Sequence, residues 1–184
     1  MKEGLFSYLR SLVHDIPHEL YLAGLVILIV LSVILIGLKG FRSGIRYSSG
    51  VLLAEYIALV YCSTVFFRAI RNHSDYDFTP FWSYAAYMNG KEPNALVENL
   101  ANVIVFIPVG LLLGVAFRGV SWIKVLGIGC GTSVGIEMLQ LIMKRGFCEF
   151  DDVMHNTFGC MIGYGIYRLI YMCENCKTKR IYGK

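Results

Sequence analysis

Apolar residues in this chain are gathered into long blocks. Residues 20–38 carry no charge and are mostly Leu, Val and Ile, residues 51–67 carry only Glu55, and residues 100–117 carry none. Residues 122–143 hold Lys124 near the start and Glu137 inside; residues 153–172 open on His155 and Asn156 and hold Arg168 near the end. A helix needs roughly 20 mostly apolar residues to cross the hydrocarbon. The blocks lack the period-two alternation of barrel strands, so helices must satisfy their backbone polar groups. The pattern predicts an all-α, polytopic membrane protein with five transmembrane helices. Before the first block, Leu5, Tyr8, Leu9, Leu12, Val13 and Ile16 recur at helical spacing until Pro17. That predicts an amphipathic helix over 1–19, lying on the membrane surface or packed on neighbouring loops.

Composition agrees. The 184 residues are 56% hydrophobic and 16% charged, against about 45–50% and about 25% in soluble domains. This excludes a disordered chain and argues against an ordinary soluble domain. The net charge of +4 is too mild and scattered for a nucleic-acid partner. The first block is too long for a cleaved signal and is followed by Lys39 and Arg42, so it is expected to remain as a span. Counting Lys124 and Arg168 near their span ends, ten basic residues fall on one side of the five spans and 7 on the other. The positive-inside rule then puts the amino terminus outside and the carboxyl terminus, with the basic tail 173–184, in the cytoplasm.

Smaller signals follow. Segment 68–99 carries Tyr76, Phe78, Phe81, Trp82, Tyr84 and Tyr87 around Pro80, an aromatic anchor at headgroup depth or a lid over an outer site. Cys62, Cys130 and Cys160 fall in spans as small apolar residues. Cys148 stands alone in a loop, and the single Cys173-x-x-Cys176 pair is a weak metal signal, so no metal and no cofactor is expected. Glu55 is explained by snorkelling toward Arg46 or by bonds to Ser48 or Ser49. Gly127, Gly131 and Gly135 on the fourth span, and Gly159 and Gly163 on the fifth, are small-residue stripes that predict close packing of those two helices or an oligomer.

Polar residues within spans are costly and mark functional candidates. Three helix ends converge at one level. The third span begins with Glu98, Asn99 and Asn102, and the fourth ends with Glu137 and Gln140. Lys144, Arg145, Glu149, Asp151 and Asp152 follow, and the fifth begins with His155 and Asn156. Helical spacing puts Asn99, Asn102 and Phe106 on one face and Ser133, Glu137 and Gln140 on another. Asp152 and Asn156 share a stripe with Gly159 and Gly163, which points them at the fourth helix. Pro108 is expected to kink the third helix and open room beneath the cluster. The cluster is either a ligand site or a hydrogen-bond network that only clamps helices.

These same residues carry a resemblance. Asn102-Val-Ile-Val-Phe106-Ile-Pro108-Val-Gly110-Leu-Leu is similar to the N-x-x-x-F-x-P-x-G-x-L-L motif of the VanZ family of bacterial multi-pass membrane proteins. Ile136-Glu137-Met-Leu-Gln140 resembles its I-E-x-x-Q motif, and Arg145 through Gly163 resembles its Arg, acidic loop and D-D-x-x-x-N-x-x-G-x-x-x-G segment, here Asp151, Asp152, Asn156, Gly159 and Gly163. Pro80-Phe81 also resembles a family loop. The likeness covers 51–172, with residues 20–50 adding an extra first helix and loop, and Glu149 standing where Asp is common. It implies a cell-envelope protein linked to resistance to glycopeptides, chiefly teicoplanin.

Two functions are expected from the whole. In the first, Asn102, Glu137, Gln140, Arg145, Asp151, Asp152 and Asn156 form an outer-leaflet site, framed by Pro108, Gly110 and the glycine stripes. It binds or shields a lipid-linked wall precursor or a lipid-tailed glycopeptide, among membrane lipids. The alternative is an intramembrane hydrolase or transferase acting on lipid head groups, with Glu137 or Asp152 as base and His155 as acid. A transporter fits less well, because no repeat is visible and the polar groups lie near one face.

Overall fold

The computed structural model describes residues 2–14 and 16–182, with side chains except those of residues 2, 3, 11–13, 18, 21, 42 and 174–182. Leu12, Val13 and Cys176 therefore lie outside the described side chains. Seven α-helices follow in order: α1 (Lys2–His14), α2 (His18–Lys39), α3 (Phe41–Tyr61), α4 (Trp82–Met88), α5 (Ala95–Ala116), α6 (Trp122–Met143) and α7 (Phe150–Tyr182). α3 passes directly into a π-helical turn, Cys62–Phe66. Two short strands, β1 (Asp75–Asp77) and β2 (Phe147–Glu149), pair in parallel with Tyr76 opposite Cys148. At three residues each they are too short to show a period-two pattern.

The fold is all-α and polytopic. Among the described residues, four helices are long and apolar enough to cross a membrane: Leu22–Lys39, Ser43–Phe66, Ala95–Ala116 and Trp122–Met143. The fifth expected span falls on α7, whose 33 residues give it the length, but whose His, Asn, Thr, Arg and Tyr positions dilute its apolar character.

α2 and α3 form a hairpin at Gly40, which takes φ 76°, and Gly44 abuts the backbone of Ile36. No residue of the α2 span is buried. Its exposed Leu22, Leu25, Val26, Ile29 and Val33 suit lipid on all sides. α5 lies at the centre, with α7 as its most extensive neighbour and α3, α1 and α4 around it. α1 packs on its neighbours: Gly4 abuts Val97 of α5, and Ile16, just beyond the helix, is buried. The core runs between α3, α5, α6 and α7 through Val60, Phe106, Leu113, Val125, Ile136 and Tyr164.

The glycine pattern requires a correction. Gly159 and Gly163 face α5, not α6: a Cβ there would collide with the carbonyls of Val103 and Ile107. Gly110 answers from α5 against Cys160 and Tyr164 backbone, and Gly114 against the Tyr167 ring. Small residues on both helices thus let α5 and α7 touch backbone to backbone. Among the described residues a Cβ at Gly127 or Gly131 would meet nothing within 4 Å, and Gly135 faces the Tyr61 hydroxyl of α3. α6 meets α7 through a different row, with Gly129 against Cys160. A stripe announces a close neighbour without saying which one. α5 runs unbroken through Pro108.

Candidate functional site

One face of α6 is buried along its length: Val125, Gly129, Ser133, Ile136, Glu137 and Gln140. Helical spacing puts the polar members in the upper turns of the row that packs the core below. Each finds a partner on another element. Asn156 Nδ2 of α7 donates to Ser133 Oγ at 2.8 Å. Gln140 Nε2 donates to the Thr64 carbonyl at 3.0 Å, within the π-helical turn. Glu137 Oε2 accepts the backbone N–H of Glu149 at 3.0 Å. Asp152, expected to face α6, instead accepts Asn102 Nδ2 of α5 at 2.7 Å, because its stripe looks at α5.

These groups surround a small void of about 20 Å³, whose lining includes Tyr8, Arg68, Asn102, Glu137, Gln140 and Asp152. A cavity of that size holds about one water. Gln140 is 3% exposed, and among the described residues its Oε1 has no hydrogen-bond partner. A buried carbonyl oxygen without a donor costs about 1–3 kcal/mol, so Gln140, which lines the void, carries an acceptor that the described residues leave unused.

The cation of the cluster is Arg68. It lies within electrostatic reach of Glu98, Glu137 and Asp152 and bonds the Tyr8 hydroxyl. Burial pushes Tyr8 up to about 12 despite that partner, so it stays a neutral donor. Arg145, expected in this role, is elsewhere. Lys144 ends α6 in the left-handed region (φ 55°) and turns the chain back. Arg145 Nη1 then donates to the carbonyls of Phe66 and Arg68. It closes the end of the π-helical turn, where carbonyls lack helical partners.

Above the void lies a larger cavity of about 340 Å³, lined by Arg71, Asp75, Trp82, Glu92, Glu98, Asn99 and Glu149 among others. Glu149 joins the two levels: its side chain lines the cavity while its N–H holds Glu137. Its Oε2 accepts from Trp82 Nε1 at 3.1 Å. Burial, then the charge of Asp152, pushes Glu149 up to about 8, which keeps much of it protonated near neutral pH. Burial likewise raises Cys148 to about 11, leaving an inert thiol.

The loop before α5 is held over this cavity by Asp151. Fully buried, its carboxylate accepts Phe81 N–H at 2.6 Å and both Ser83 N–H (3.0 Å) and Ser83 Oγ (2.5 Å). Asn99 Nδ2 donates to the same Ser83 hydroxyl at 3.0 Å. Phe81 is thereby kept at φ 63°, a conformation that costs a bulky residue about 1–2 kcal/mol. Asp151 was expected at the site; its oxygens are engaged by the loop instead. Trp82 turns inward against Phe147 (5.5 Å between centroids), while Tyr76, Phe78, Phe81, Tyr84 and Tyr87 stay exposed. The segment is both a cover and an aromatic surface.

Of the expected site residues, Asn102, Glu137, Gln140, Asp152 and Asn156 come together, and Arg145 and Asp151 do not. His155 pairs through Nε2 with the Tyr84 hydroxyl at 2.8 Å and its Nδ1 has no partner, so it does not join Glu137 and Asp152 around the void. Glu55 also departs from expectation. Ser49 donates to Ile45 O, and Glu55 Oε1 and Ser48 Oγ are buried without partners. Arg68 and Tyr8 were not anticipated as site residues. Arg68 is the first residue after the block 51–67, and Tyr8 lies on the apolar face of α1.

The architecture is that of a multi-pass membrane protein with a buried polar site at one end of its helices. The sequence model of the VanZ/LLP1 family matches residues 20–171, taking in the first span. The chain belongs to that family of bacterial membrane proteins. It is similar to Protein VanZ of Enterococcus faecium, at 36% identity over 72 residues. That stretch is 39% of this chain and spans 45% of the relative's length. No solved structure matches the chain.

Proposed function

We propose that the polar end faces outward and binds the head of a lipid-linked wall precursor, or of a lipid-tailed glycopeptide, and so contributes to glycopeptide resistance. The observation that carries this is the unpartnered Oε1 of buried Gln140 beside Arg68, Glu137 and Asp152. An unused acceptor next to fixed donors suits the N–H and O–H groups of peptide and sugar. The cavity of about 340 Å³ above is large enough to receive such a group. The outward orientation is supported by the excess of basic residues in the opposite loops, and the family supports the link to glycopeptides.

The test titrates purified protein in lipid nanodiscs with teicoplanin and with a lipid-linked disaccharide-pentapeptide. Wild type is expected to bind at least one of them, and Gln140→Met to lose about tenfold or more in affinity, the loss of a charge-assisted or buried hydrogen bond. Tyr61→Phe is the control. It removes one comparable bond, to Thr132 O at 3.0 Å, away from the void. Equal affinities for wild type and Gln140→Met, or no binding by wild type, sink the proposal.

A further inference from the structure

A second cleft lies at the opposite end of the helices, unconnected with the polar site. It has a volume of about 220 Å³ and is lined by Arg46, Tyr47 and Gly50 of α3 and by Ala116 and Phe117 at the end of α5. Gly50 and Ala116 keep the floor of the cleft small: no side chain projects from Gly50, and Ala116 Cβ lies 4.0 Å from where a Cβ would stand. The floor is apolar and the rim is a single guanidinium. Tyr47 and Phe117 are both about half exposed, at 54% and 53%. They stand where aromatic rings favour the headgroup zone.

Charge says what fits. Residues 39–50 and 117–124, the two turns at this end, contain Lys39, Arg42, Arg46, Arg118 and Lys124 and no Asp or Glu. An apolar slot capped by arginine at the end of membrane-spanning helices, beside turns whose charged residues are all basic, matches an acyl chain joined to an anionic head. Arg pairs with phosphate oxygens through its planar fork.

We infer that the cleft between α3 and α5 is a specific site for an anionic phospholipid, with one chain on Gly50 and Ala116 and the phosphate on Arg46.

The full chain, purified in neutral detergent, is examined by native mass spectrometry with phosphatidylglycerol or phosphatidylcholine at equal concentration. Wild type is expected to retain one phosphatidylglycerol with about fivefold preference, the contribution of one basic group at a membrane surface. Arg46→Gln should bring the preference near unity with melting unchanged. Gly50→Leu fills the slot and should lower retention of both lipids. Lys124→Gln, at the same end but outside the cleft, should behave as wild type. Three results overturn the inference: equal retention of the two lipids by wild type, unchanged preference in Arg46→Gln, or an equal loss in Lys124→Gln.

Discussion

Replacing Gly163 by alanine is the sharpest probe of the fold. The added Cβ would lie well inside 3.0 Å of the Ile107 carbonyl and 2.9 Å from Leu111 N. Both obstacles are backbone, so no side chain can swing away. α7 must back off by about an ångström, and the contacts at Gly159 and Gly110 on the same interface open with it. Overpacking costs about 1–3 kcal/mol where neighbours yield; against rigid backbone about 3 kcal/mol or more is expected. Alanine's better helix propensity returns at most about 1 kcal/mol. Gly127→Ala is the matched comparison. It makes the same chemical change on a membrane-spanning helix with nothing within 4 Å, so only the propensity gain remains. At about 2–4 °C per kcal/mol for a chain of this size, the net loss of about 2 kcal/mol or more should melt Gly163→Ala about 4–8 °C or more below wild type. Gly127→Ala should melt at or slightly above it. The assay is thermal unfolding of both variants in one detergent, followed by intrinsic fluorescence. A Gly163→Ala transition within about 2 °C of wild type, or an equal fall for Gly127→Ala, would refute the backbone contact.

Three further outcomes are expected. Arg68→Met should destabilise by about 1–3 kcal/mol, since it removes the hydrogen-bond partner of the Tyr8 hydroxyl and the cation within electrostatic reach of Glu98, Glu137 and Asp152, and Arg68→Lys should recover much of that in chemical unfolding. Asp151→Ala removes the acceptor for Phe81 and Ser83, so limited proteolysis should cut residues 68–94 faster while the helices stay intact; unchanged cleavage counts against the clamp. Glu149 is raised from 4.5 to about 8, so the native state holds its proton more tightly. The stability it contributes is full below about pH 4.5 and lost as pH rises toward 8, by about 2–3 kcal/mol at most once screening is allowed for. Glu149→Gln, which keeps an acceptor for Trp82, should flatten that part of the melting-versus-pH curve.

The helices were legible because lipid leaves the chain few options: long apolar runs without alternation must be helical. The faces of α5 and α6 were legible for a similar reason, since Asn102, Glu137 and Gln140 follow helical spacing into the protein. What spacing does not carry is the identity of a neighbour. Gly159, Gly163, Asp152 and Asn156 share one stripe as expected, yet Asn156 alone of the four meets α6, at Ser133, while the other three meet α5. Loop reversals are equally hidden. The left-handed turn at Lys144 sends Arg145 to the carbonyls of Phe66 and Arg68 and leaves Arg68, from a distant segment, to face the carboxylates. Asp151 and Asp152 are adjacent, and helical geometry splits their tasks: one clamps the loop, the other joins α5.

Scaffold and site are therefore built from the same contacts. The Asn102–Asp152 bond forms between two helices brought together by Gly159, Gly163 and Gly110, so disturbing the glycines also disturbs the polar cluster above them. Asn156 bonds Ser133, and Glu137 bonds the strand that carries Glu149; each removal costs stability before it costs function. Loss of a phenotype in those variants cannot by itself separate a ligand site from a network. Gln140 differs. Its amide nitrogen serves the fold, through Thr64, and its oxygen has no partner among the described residues. Burying an unanswered acceptor is a cost without structural return, and a partner from outside the chain, whether water or ligand, is what would offset it. The comparison of Gln140→Met with Tyr61→Phe isolates that oxygen, because both variants forfeit one bond to a carbonyl and only Gln140→Met also removes an unpartnered acceptor.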